Sequence, residues 1–146
     1  MWHLILFLHL AGVAVWIGGQ ATILIAAPVI RAHAGDRADE TLGVIGRRFG
    51  SAAGIALAVV VATGLMQAHH LGWSLSAGQG DENYRIITEK FTLVCVIIVL
   101  TGVHGVLGAR VASGKLSPQW RTRIRWVSVV NLALGLMVLW LAAGLE

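Results

Sequence analysis

The 11 basic and 7 acidic side chains of this 146-residue chain avoid four stretches altogether: 1–30, 49–80, 91–109 and 126–145. A helix rises 1.5 Å per residue, so roughly 20 apolar residues cross the hydrocarbon of a bilayer. Each silent stretch reaches or nearly reaches that length, and none alternates strictly as a barrel strand would. The pattern predicts an all-α integral membrane protein, a single four-helix bundle domain over 1–146, with spans near 3–30, 49–70, 87–109 and 126–144. Charged residues make up 12% of the chain, about half the share of a soluble domain and too few to coat a globule. The high apolar content excludes a disordered chain. The first stretch lacks a basic leader and is too long for a cleaved signal peptide. The single cysteine, Cys95, excludes an internal disulfide framework and a CxxC metal site.

Arginine and lysine set the orientation. The first connection carries Arg31, Arg37, Arg47 and Arg48, and the third carries Arg110, Lys115, Arg121, Arg123 and Arg125. The second, with its flank, has only Arg85 and Lys90. The first and third connections are therefore expected on the cytoplasmic side of a bacterial-type inner (plasma) membrane, with both termini outside. The same rule accounts for the net charge of +4, so nucleic acid is not an expected partner; the lipid bilayer is. Small residues (Gly12, Gly18 and Gly19 in the first span, Ala53, Ala56 and Gly64 in the second, Gly135 in the fourth) let helices approach closely where apolar burial gives no drive. Pro28 is expected to end or kink the first helix. The mixed-charge segment 31–48 is expected to begin as a helical extension. The Gly/Ser-rich segment 71–83 is a candidate cover for the outer mouth. No repeat of 20–50 residues is evident, although spans one and two, and three and four, form two potential hairpins.

Ionisable residues at membrane depth are functional candidates by default. His9 lies about two turns inside the first span. His69 and His70 close the second span at the outer side, and Lys90 opens the third. His104 lies in the inner half of the third span; Gln20 and Asn131 are polar but uncharged. A neutral imidazole binds a metal through one nitrogen while the other makes a hydrogen bond. His9, His69, His70 and Lys90 thus form an outer-leaflet set of nitrogen ligands. A haem iron takes axial ligands from the facing helices of such a bundle, and lysine serves only when neutral. Lys90 and His104 share one face of the third helix, roughly 21 Å apart, with Leu93, Ile97 and Thr101 on or near it. That spacing suits two cofactors stacked across the bilayer; one haem b or two is expected, with metal ligation at His9, His70 and His104. Plainer roles compete. Lys90 can snorkel as an interface anchor, and His69 and His70 can be interface residues. His104 and Asn131, at similar depth, can bond each other. Trp16, one heptad below His9, lines a cofactor pocket or simply packs. His3 and His33 are expected to be solvated, and Trp2, Trp73, Trp126 and Trp140 to sit in the interface belts. Copper is the alternative cofactor. Cu(I) prefers sulfur, and only Met1, Met66 and Met137 accompany Cys95, so a copper path would rest on histidines.

The run Leu8-His9-Leu10-Ala11-Gly12-Val13-Ala14-Val15-Trp16-Ile17-Gly18-Gly19 resembles the first-helix motif of the HemJ/CopD-like four-helix membrane proteins, a His one heptad before a Trp followed by small residues. Lys90, His104, Gly108 and Arg110 resemble the third-helix pattern. Arg123-Ile124-Arg125-Trp126, leading to Asn131, resembles the start of the fourth. The HemJ side of the resemblance implies a haem-b protein that oxidises protoporphyrinogen IX, with His9 as haem ligand and Lys90 as the essential catalytic lysine. The CopD side implies copper transport or resistance. The leading expectation is a membrane haem-b protein in redox chemistry or electron transfer, with His9 as principal axial ligand. Lys90, His69 or His70 would take the second position, and Trp16, His104 and Asn131 would serve cofactor binding. If enzymatic, it is a haem-dependent oxidoreductase with a quinone or porphyrin substrate. A homodimer is compatible with it, and a non-catalytic accessory subunit of a membrane complex is the third reading. No Walker loop, GxGxxG or HExxH motif is present.

Overall fold

The computed structural model describes residues 1–73, 82–115, 117 and 119–143. The expected cover falls largely on 74–81, outside these residues. Four helices follow in order: α1 (Trp2–His33), α2 (Ala38–His70), α3 (Glu82–Ala112) and α4 (Trp120–Ala143), with a single 3-10 turn, Gly35–Arg37, between the first two. All four are long and apolar enough to cross a membrane, and together they form an all-α bundle.

The helices outrun the charge-free stretches. α2 begins at Ala38 rather than near 49, and α4 at Trp120 rather than near 126. Absence of charge marks only the hydrocarbon crossing. The backbone stays helical beyond it because 38–48 holds no proline, and Asp39 and Glu40 in the first turn of α2 complement the positive end of the helix dipole. The segment 31–48 is therefore almost wholly helical, broken only at a tight turn where Gly35 takes φ +50°. Pro28 does not end α1, which runs on to His33. Helices in membranes tolerate such a residue because neighbouring groups re-satisfy the freed carbonyl.

Packing is uneven. α1 lies along α2 and α3 along α4, whereas the α1–α4 and α2–α3 seams are thinner. The bundle is two hairpins set side by side, in ring order α1, α2, α3, α4. Trp16, Ala53, Ala56 and Ile97 form the core between them. Small residues set the spacing within the first hairpin. A Cβ on Gly12 would stand 2.8 Å from Val60 Cγ2, and one on Gly19 would strike the Phe49 ring. Gly18, expected to share this role, meets nothing within 4 Å. Large aliphatic side chains such as Ile25, Ile55 and Val99 project outward, where the bilayer contacts them.

An even number of crossings brings both termini to one end, here called the terminal end. At the other, basic end Arg121 Nη2 lies 2.8 Å from Asp39 Oδ2, tying the start of α4 to the start of α2.

Candidate functional site

His9 projects from α1 toward α2, where its Nδ1 lies 2.9 Å from Thr63 Oγ1. The Thr63 hydroxyl donates its own proton back to the Val59 carbonyl at 2.6 Å, so toward His9 it accepts. In the tautomer that matches this acceptor, Nδ1 carries the ring proton and Nε2 the lone pair. Such a hydroxyl-to-carbonyl bond is the usual way a mid-helix threonine satisfies its donor. Here it also selects a tautomer, as the outer partners of metal-binding histidines do. Thr63 is 7% exposed, so water does not compete for the bond. Gly64 makes room for the ring: a Cβ there would stand 3.3 Å from His9 Cε1.

The ring borders a half-open cavity of about 190 Å³ lined by all four helices on the terminal side of the core. Its polar lining comes from His9, Gln67 and Lys90, and the rest is apolar apart from the Trp16 indole. Gln67 Nε2 donates to the Thr63 carbonyl at 3.3 Å. Lys90 reaches the cavity from α3, diagonal to α1. Among the described residues Lys90 makes no hydrogen bond or ion pair. Trp16 lies on the boundary between the cavity and the core, 5% exposed, and its indole fills the space that a Cβ on Gly135 would need, at 2.8 Å from Cζ3.

The structure thus brings His9, Trp16 and Lys90 together. It does not add His69 and His70, which are exposed at the end of α2 and absent from the cavity lining. The His70 ring stacks instead on Trp2, with centroids 3.7 Å apart and planes 18° from parallel, pinning the start of α1 to the end of α2. The expected cluster of four nitrogens around the cavity is reduced to two. Trp73 packs against Phe91 and Tyr84 at the start of α3 and donates to Thr88 Oγ1 at 3.3 Å.

His104 and Asn131 belong to a separate polar region on the basic side of Trp16, and they do not bond each other. His104 Nδ1 lies 3.1 Å from Ser128 Oγ, which donates to the Ile124 carbonyl. This repeats the His9–Thr63 arrangement in the second hairpin, a ring Nδ1 against a hydroxyl that bonds its own helix. Asn131, 4% exposed, donates to Thr101 Oγ1 at 3.0 Å and to Gln20 Oε1 at 3.5 Å. Among the described residues Gln20 Nε2 and Asn131 Oδ1 are buried without a partner. Asn131 prefers Thr101 to His104 because Thr101 stands one turn closer along α3. Its expected place on the cofactor site is not supported by position, since neither it nor His104 lines the cavity.

Thr63, Gln67 and Ser128 escape a search for ionisable residues. The signal that finds them is a hydroxyl or amide at matched depth on the neighbouring helix. Among the described residues no three His, Cys, Asp or Glu side chains converge. Cys95 is exposed, and Met66 and Met137 point outward, so sulfur does not approach the histidines. Comparison with protein-family models, with curated proteins and with solved structures returns no match for this chain.

Proposed function

We propose that this multi-pass membrane protein binds haem b and works in membrane redox chemistry, with His9 as the principal axial ligand. The observation that carries the reading is the His9–Thr63–Val59 relay, which holds the imidazole with its Nε2 lone pair free beside a largely apolar cavity. Lys90, the second nitrogen on that cavity, would help hold the haem, through the iron when neutral or through a propionate when charged. The likeness of the Leu8–Gly19 run and of Lys90 to HemJ/CopD-like proteins points the same way. A porphyrinogen or a quinol is the class of electron donor that suits an apolar site of this kind. The positive-inside rule puts the basic end in the cytoplasm of a bacterial-type inner membrane and the cavity on the outer side.

The donor set fits a haem iron. The volume of about 190 Å³ is larger than the roughly 150 Å³ that holds benzene and short of the roughly 300–1,000 Å³ that encloses drug-sized ligands. A whole macrocycle therefore extends beyond it, through the open side of the cavity or with the two hairpins drawn apart along their thin seams. Haem, when bound, supplies one-electron chemistry. The chain orients His9, keeps water from its Nδ1–H and sets Lys90 across the cavity. Among the described residues no three His, Cys, Asp or Glu side chains gather around the cavity, so a copper path would rest on His9 there.

The test is the visible spectrum of protein purified in detergent after expression with haem supply. A Soret band that is present in the native chain, lost in His9→Ala and shifted in Lys90→Ala is expected. A native protein with no Soret band overturns the proposal.

A further inference from the structure

The wall of the central cavity is thinnest between α2 and α3, the neighbouring helices that touch least among the described residues. On the lipid-facing side of that seam a shallow apolar groove runs along α2 over Gly54, Ala58 and Ala62 and meets Ile98 of α3. Leu57 and Val61 line both the groove and the cavity. On this face, two aliphatic side chains therefore stand between the lipid-side groove and the space beside His9 and Lys90. Both are only half-buried, and the small residues next to them leave free volume on the lipid side. Rotamer changes of such side chains are fast compared with helix motion.

We propose that the α2–α3 seam is a lateral portal, gated by Leu57 and Val61, through which hydrocarbon-rich molecules dissolved in the bilayer reach the central cavity. The ligand class follows from the energetics. Lipid is as apolar as the cavity, so moving from one to the other brings no hydrophobic gain. Retention falls to the polar groups of the lining, Lys90, His9 and Gln67. The molecules held there are those with an apolar body and one acidic or electron-pair-accepting group. The portal depends on the cavity alone and not on the haem reading, and its test contains no haem.

Trp16 supplies the probe, since it is 5% exposed and lines the cavity. The full chain, with Trp2, Trp73, Trp120, Trp126 and Trp140 replaced by Phe, is reconstituted in phosphatidylcholine vesicles whose acyl chains carry bromine at mid-chain. Contact quenching of Trp16 fluorescence is expected, stronger in Val61→Ala and largely lost in Val61→Phe. In the chain with all its tryptophans, a fatty acid bearing a mid-chain diazirine is photolysed and its adducts are mapped by mass spectrometry. Adducts on Trp16 and Val94 are expected to disappear in Val61→Phe while those on outward-facing Ile55 and Val99 persist. Unquenched Trp16, or cavity adducts that survive Val61→Phe with normal labelling of Ile55, overturns the portal.

Discussion

His9 Nδ1 meets the Thr63 hydroxyl, and that hydroxyl is itself held by a carbonyl of its own helix. Thr63→Val keeps the shape and removes this buried hydroxyl partner of the ring. Unmaking such a bond costs about 1–3 kcal/mol. Unfolding in mixed micelles should show that loss in Thr63→Val and little change in Thr63→Ser. A chain equally stable with Val would mean that the bond is not formed. Gly135 is the opposite case, a residue whose importance is the room it leaves. Gly135→Val drives a side chain into Trp16, and overpacking of this kind costs about 1–3 kcal/mol. A lower unfolding midpoint, together with a change in tryptophan emission, is the expected result. His9, Trp16 and Lys90 were legible in the sequence because a polar or aromatic group at membrane depth is conspicuous in a charge-free run. Thr63 and Ser128 were not, because a hydroxyl that bonds its own helix is common in such spans and becomes informative only when a histidine on another helix faces it. The pairing of His104 with Asn131 failed for the same reason. Depth alone does not say which of several polar neighbours a ring will meet.

At the scale of elements, the four spans could be read from charge, and their ends could not. The excess helix at 38–48 lies where the chain leaves the hydrocarbon, a region in which apolar content gives no signal and only the left-handed Gly35 interrupts the backbone. The ion pair between Arg121 and Asp39 joins two such extensions. Its side chains are 44% and 53% exposed, so solvent screens it, and Arg121→Ala is expected to change stability by no more than about 0–1 kcal/mol. A large drop in the unfolding midpoint would show that the extensions contribute more than their exposure implies. Orientation is checked with Cys95→Ala carrying His3→Cys or Ser113→Cys. In intact cells a membrane-impermeant maleimide should label the first, at the terminal end, and spare the second, at the basic end. The reverse pattern would invert the assignment of sides.

At the scale of the whole molecule, the ring of four helices is divided by its own packing. Each close partnership joins helices that are consecutive in the chain, α1 with α2 and α3 with α4, and the two seams that join the pairs are the sparse ones. That asymmetry bears on how the protein is made. The first pair has all it needs for its main contacts before α3 leaves the ribosome, and units that complete themselves locally assemble in order of synthesis. The second pair then joins a partner already in the bilayer, in the manner of helices that insert first and associate afterwards. Chain continuity between α2 and α3 is thus dispensable in a way that continuity inside either pair is not. Two co-expressed halves, divided within 74–81, should co-purify as one complex. Halves divided within the α1–α2 turn at 34–37, which separate helices that pack most closely, should not recover it.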